Sequence, residues 1–259
     1  MAKASPPDMI SHAPAGEAAD QVLGSPPLPD WHARVLGRSL ASATDKAVRQ
    51  ARDLINAAAR LMRRLDAEEL TMQNIAAEAG VSVRVLYRHF EGKDDLLVAL
   101  IEECQIVLAR LMDKATANVV DPLERLGEAL YFATTDASRQ TDQNFSRAMA
   151  RFTVQTSVTS PDQVAAAHRP VIVLLRGMVE EAIQSGQIEA GDSEAAATHL
   201  FGVYEAYERN LYLGSSNDSP GLAAREFIRF CLLGLGARIP PGWENTLGQH
   251  HRGHASAAS

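Results

Sequence analysis

Residues 70–100, LTMQNIAAEAGVSVRVLYRHFEGKDDLLVAL, constrain the fold more than any other part of this 259-residue chain. Gly80 sits between two short segments of helical spacing, and glycine enters the left-handed region at little steric cost. The stretch therefore reads as a short helix capped by Thr71, a tight turn at Gly80, and a restart with Ser82 as N-cap. Small Ala76 lets the two helices approach, and Ile75, Val81, Leu86 and Phe90 can fill their shared core. Val83, Arg84, Tyr87 and Arg88 then point outward, because residues at i, i+3 and i+4 share a helix face. Two short helices meeting at an angle with such an edge exposed form a helix-turn-helix, whose second helix enters the major groove of duplex DNA.

The charge distribution agrees with this reading. The chain carries a formal net charge of -7, yet residues 31–93 hold eleven Lys+Arg against seven acids, and both flanking stretches are acidic. A basic module on an acidic body is the footprint expected where one part meets a polyanion.

The remainder predicts an all-α protein. From Thr44, apolar residues recur at Val48, Ala51, Ile55, Ala58, Met62 and Leu65, which draws one stripe along a first helix. Helices are also expected over 94–114, from Asp121 with Pro122 at the first helical position, over 142–157, over 163–185 around Pro170, over 192–213, and in a final segment ending near Gly236. Residues 1–40, rich in Ala, Pro, Gly and Ser, are expected to be a disordered N-terminal extension. The expected order is then a helix-turn-helix DNA-binding domain over 41–93, a larger helical domain over 94–238, and a flexible tail over 239–259.

Residues 70–100 resemble the DNA-binding domain of tetracycline-repressor-type (TetR) transcriptional regulators. The matching anchors are Thr71, Ile75, Ala76, Ala79, Gly80, Val81, Ser82, Leu86, Tyr87, His89, Phe90, Lys93 and Leu96. Two positions depart from the pattern: Arg84 replaces the usual Gly or Ala, and Val85 replaces the usual Thr or Ser. The resemblance implies that Thr71 and Ser82 hold phosphates at helix N-termini, that Tyr87 and His89 contact the DNA backbone, and that Lys93 binds a phosphate. The alternative for His89 is a packed ring that closes the turn. Arg84 is the expected base reader, since a guanidinium pairs bidentately with guanine; Val83 and Arg88 complete the expected DNA-binding set.

The last two helices carry apolar residues on more than one face, so they must bury two sides. Leu200, Tyr204, Tyr207, Leu211, Phe227, Phe230 and Cys231 are the expected interface of a homodimer, which in the resembled family is a four-helix bundle. That family also senses small apolar or amphipathic effectors. Tyr131, Phe145, Met149, Phe152, His168, Arg176, Tyr204 and Glu208 are the residues expected around such a ligand, against the alternative that they are plain core.

The sequence has no Gly-rich phosphate loop, no zinc-ligand spacing and no nucleophile elbow, so neither catalytic residues, nor metal, nor cofactor is expected. An all-helical enzyme, or an interaction protein that keeps the helix-turn-helix as scaffold, is the alternative. Cys104 and Cys231 both lie in apolar helical patterns and are expected to be buried free thiols in a reducing cytoplasm. No run is long enough to span a bilayer, and no membrane partner is expected.

Overall fold

In the computed structural model the described residues are 31–32, 35, 44–65, 69–137, 142–189, 191–213 and 220–248. They form nine α-helices: α1 Thr44–Met62, α2 Met72–Glu78, α3 Val83–His89, α4 Lys93–Thr116, α5 Pro122–Tyr131, α6 Gln143–Thr159, α7 Pro161–Gln184, α8 Ser193–Leu213 and α9 Pro220–Gly234. A π-helical turn, Phe132–Ala137, continues α5, and a 3-10 turn covers Trp243–Asn245. No strand occurs among the described residues, and none of their helices is long and apolar enough to cross a membrane.

The chain divides into two compact units. The first comprises residues 1–104 and 143–167; the second comprises 105–142 and 168–259. The expected boundary at residue 93 is therefore displaced. The opening three turns of α4 and all of α6 join the first unit, because Leu96–Ile101, Phe145, Ala148 and Phe152 share one buried cluster with α1, α2 and α3. Sequence periodicity identifies these helices but says nothing of which partner an apolar face chooses.

The first helix buries more than its expected stripe. Ala47, Leu54, Ala57, Ala59 and Leu61 are buried beside Ala51, Ile55, Ala58 and Met62, so α1 is covered on most sides. One of the covering groups corrects the expectation for residues 1–40. Trp31 is fully buried and Val35 nearly so, both helical; the Trp31 indole N–H donates to Glu103 Oε1 at 2.9 Å and its backbone N–H to Glu102 Oε2 at 3.2 Å. One tryptophan with two acidic acceptors thus anchors part of a segment whose composition reads as solvated.

The second unit is organised around Tyr131, Leu175, Val179, Leu200, Phe201, Ile228 and Leu232. As expected, Asp121 caps α5 by accepting from the Glu124 N–H at 2.8 Å, with Pro122 at the first helical position. Pro170 lies inside α7.

The expectation of a flexible tail from residue 239 is corrected as well over its described part, residues 239–248. Leu247 is fully buried, Trp243 packs where a Cβ on Gly127 would stand, and the Gly248 N–H donates to the buried Glu128 carboxylate at 2.9 and 3.1 Å. Arg225 completes the seat, donating to the carbonyls of Glu244 and Leu247 at 3.1 Å while its guanidinium lies 5.1 Å from the Tyr131 ring centroid. His250, His251 and His254 lie outside the described residues.

Candidate nucleic-acid interface

The site is built by a turn and two caps. Gly80 takes φ +68°, the Gly80 N–H bonds to the Ala77 carbonyl at 3.1 Å and the Val81 N–H to the Ala76 carbonyl at 2.9 Å. This Schellman arrangement satisfies the last carbonyls of α2 and turns the chain toward α3. At the start of α2, Thr71 Oγ1 accepts from the Asn74 N–H at 3.2 Å while Asn74 Oδ1 accepts from the Thr71 N–H at 2.9 Å. This is a capping box with asparagine in the usual Glu or Gln position. Thr71 Oγ1 acts as acceptor there, which leaves its own hydroxyl proton outside the box. Ser82 precedes α3 in extended conformation without a side-chain cap bond, so its hydroxyl is not consumed by the helix.

Leu86 anchors α3 in the core, and Phe90 closes the turn beyond it; both are buried. Ser82, Arg84, Tyr87 and Arg88 are exposed, whereas Val83 and Lys93 are half-buried. Tyr87 is 54% exposed, a large aromatic held outward on a seven-residue helix. Of the outward set read from helical spacing, Arg84, Tyr87 and Arg88 are on the surface, whereas Val83 packs half-buried against the core.

His89 departs from the expected backbone-contacting role. Its ring is buried, with Nε2 3.0 Å from Gln50 Oε1, and the same oxygen accepts from Arg88 Nη2 at 2.8 Å. Burial, then the neighbouring Arg88 charge, lowers the His89 pKa, so the ring is neutral near pH 7. Gln50, on α1, was not singled out by sequence: a glutamine inside an amphipathic helix carries no signal that it reaches thirty-nine residues onward. A hollow of about 260 Å³ beside it is lined by Lys46, Arg49, Asp53 and Val81, which adds two cations to this side of the head.

Behind α3, Glu78 gathers Arg60 at 2.9 Å and Arg64 at 2.8 Å, and the Arg60 hydrogen bond is the largest cause of its lowered pKa. These two arginines of the basic module are thus tied to an acid of α2.

The residues expected around an effector separate. Phe145, Met149 and Phe152 pack in the cluster of the first unit, whereas Tyr131 and Tyr204 are buried in the cluster of the second. Arg176 is exposed and paired with Glu194 at 2.9 Å rather than turned inward. Within the second unit, buried His168 packs against Phe201 with ring centroids 4.9 Å apart, and Phe201 meets Tyr204 at 6.0 Å. Neither His168 ring nitrogen makes a hydrogen bond; Nε2 stands 3.7 Å from Glu205 Oε1, and burial pushes its pKa down to about 4. Glu208 is half-buried one turn beyond Tyr204.

Of the expected dimer residues, Leu200, Tyr204 and Cys231 are buried in the chain's own core. Tyr207 and Phe227 are half-buried and stack on each other at 4.4 Å, and Leu211 is half-buried. Phe230 alone of the set is openly exposed, at 68%; Val203 on α8 and Leu233 on α9 are exposed as well.

A capped helix, a Schellman turn and an outward-facing cationic helix form a helix-turn-helix. Residues 54–100 match the model of the bacterial regulatory proteins of the tetR family. The chain is similar to the HTH-type transcriptional regulator BetI of Brucella melitensis, 33% identical over 92 residues that cover 35% of this chain and 46% of the relative. The matching region thus spans about half the length of the curated relatives. Among solved structures it is similar in fold to the transcriptional regulator FadR of Bacillus subtilis in complex with stearoyl-CoA, with TM-score 0.59 and 19% identity over 70% of this chain and 97% of that one. Thermus thermophilus FadR in complex with lauroyl-CoA gives TM-score 0.59 and 17% identity, covering 74% of this chain and 98% of that one.

Proposed function

We propose that this protein is a sequence-specific transcriptional regulator, a repressor that binds a palindromic operator as a homodimer and is released by a small apolar or amphipathic effector. The observation that carries the reading is the recognition helix: Arg84 and Tyr87 stand exposed on α3 while Leu86 and His89 anchor it. Thr71, Ser82 and Lys93 supply phosphate contacts, Arg84 reads a base, and Val83 and Arg88 flank it. His89 acts through Gln50 as a packed support. The protein works in the cytoplasm, and binding rather than catalysis is its activity.

Dimerisation uses the outer faces of α8 and α9, where Val203, Phe230 and Leu233 expose apolar surface that a second copy would cover. The effector enters the second unit at His168, Phe201 and Tyr204. Buried ring nitrogens without hydrogen bonds are a cost that a ligand's polar group relieves. The FadR relatives hold acyl-CoA molecules, so fatty acyl compounds are the first class to screen.

Genome-wide recovery of DNA fragments bound by the protein tests this reading. A shared palindromic motif upstream of a small set of genes is the expected result. Fragments without a common motif would leave the regulator reading without support.

A further inference from the structure

Two acids are buried where α4 leaves the first unit, and a residue far upstream binds both. Glu102 and Glu103 are each 4% exposed, and α4 passes into the second unit directly after Cys104. Glu103 Oε1 accepts from the Trp31 indole N–H at 2.9 Å and lies 3.7 Å from Arg52 Nη2 on α1. Glu102 Oε2 accepts from the Trp31 backbone N–H at 3.2 Å. His32 stands edge-on to the indole with ring centroids 4.0 Å apart, and Val35 joins the same buried cluster as α1 and the opening turns of α4. Trp31 thus fastens α4 to α1 from outside both helices, and two adjacent carboxylates fix where its ring sits.

The connection continues to α3. Arg52 stands two residues beyond Gln50, whose side chain holds Arg88 and lies 3.0 Å from His89. Because an α-helix moves as one body over so short a span, whatever fixes Arg52 also fixes Gln50. We propose that Trp31 and Glu103 are positioning residues for DNA binding: the indole seated on Glu103 locks α4 and α1 in the arrangement that holds α3 in its reading pose. The proposal rests on the reading of α3 as the recognition helix. Seating and operator binding then favour one another, and by linkage bound operator tightens the seat by the factor by which seating strengthens binding.

The test uses the full-length chain and a duplex that the wild type selects from a random pool. Affinity is measured by fluorescence anisotropy at a temperature where circular dichroism shows every variant folded. E103L fills the site with an apolar group and removes the acceptor, an exchange of buried charge that need not destabilise the fold. E103Q keeps an amide oxygen for the indole N–H. E103L should bind the duplex about fivefold more weakly and E103Q within about twofold of the wild type, the scale of one net hydrogen bond. Should E103L fail to fold, W31F removes the donor instead and should show the same loss. Trp31 is one of two tryptophans, so the W243F background leaves it as the sole reporter. In W243F/E103L acrylamide should quench Trp31 more than in W243F, and saturating duplex should reverse part of the difference. Duplex affinity unchanged in E103L and W31F, or Trp31 quenching indifferent to duplex, overturns the proposal. A wild type that selects no duplex is a separate outcome, which removes the recognition-helix reading itself and the proposal with it.

Discussion

Gln50 Oε1 lies 3.0 Å from His89 Nε2 and accepts from Arg88 at 2.8 Å, so one glutamine of α1 holds the C-terminal end of the recognition helix. A hydrogen bond of this kind contributes about 0.5–1.5 kcal/mol net. Gln50→Ala should therefore lower the melting temperature slightly but weaken operator binding up to about tenfold, because α3 loses its fixed pose. Fluorescence anisotropy and thermal melting on the same samples separate the two effects. Equal affinity in variant and wild type would show that Arg88 and His89 need no such support.

Trp31 binds the first unit from outside the helix-turn-helix. Its indole is fully buried and bonded to Glu103, and Arg52 Nη2 lies 3.7 Å from the same carboxylate. Trp31→Ala should cost about 3–5 kcal/mol, as large-to-small changes in cores do. Trp31→Phe keeps most of the volume, so it should cost less and isolates the N–H bond to Glu103. Denaturant unfolding checks both; a variant without residues 1–40 that is as stable as the full chain would contradict this role.

Gly127 and Trp243 make a packing pair in the second unit. A methyl at Gly127 would overlap the indole, so Gly127→Ala should displace the segment around residue 243 at a cost of about 1–3 kcal/mol, despite alanine's better helix propensity. Tryptophan fluorescence should shift toward the red as Trp243 meets water. Stabilisation by this change would mean that the segment does not hold its seat in solution.

His168 makes stability depend on pH. Its pKa falls from 6.5 to about 4 on folding, through burial, so the unfolded chain binds more protons between these values. Its contribution is fully present above about pH 6.5 and is lost as pH falls through 4, amounting to about 3 kcal/mol. His32, also lowered to about 4 by burial and by Arg52, adds to the same window. His168→Phe should flatten the fall in melting temperature between pH 7 and 4. An unchanged profile would show that His168 is not the titrating group.

Local features were legible in the sequence wherever a short-range rule determines them. Gly80, Thr71, Asp121 and Pro122 act as their residue types and neighbours predict, and the outward placing of Arg84, Tyr87 and Arg88 on α3 follows from helical spacing, though Val83 tucks half-buried against the core. Tertiary choice was not legible. Phe145, Met149 and Phe152 pack in the first unit's cluster rather than around Tyr204, because an apolar stripe specifies that it is buried and not by what. Trp31, Leu247 and the buried Glu128 were hidden for a related reason: single anchors in stretches of otherwise polar or small residues leave no periodic trace.

The outer face of α8 and α9 gives a direct assembly test. Phe230→Asp places a charge on exposed surface, so the monomer should keep its fold while a homodimer that buries the site is weakened by several kcal/mol, on the order of 2–5. Sedimentation at micromolar concentration should move from dimer to monomer with unchanged circular dichroism. A variant that sediments as the wild type does would place the interface elsewhere.

The central claim, that α3 reads base sequence, is tested by selecting bound duplexes from a random pool with the wild type, Arg84→Ala and Lys93→Ala at several salt concentrations. The wild type should return two half-sites related by two-fold symmetry, about 34 Å or a multiple apart along the duplex. Arg84→Ala should relax preference at one base pair per half-site, at about 1–3 kcal/mol, while Lys93→Ala weakens all sequences alike and flattens the salt slope. An unchanged motif for Arg84→Ala, or a wild type that selects no motif, would contradict the account.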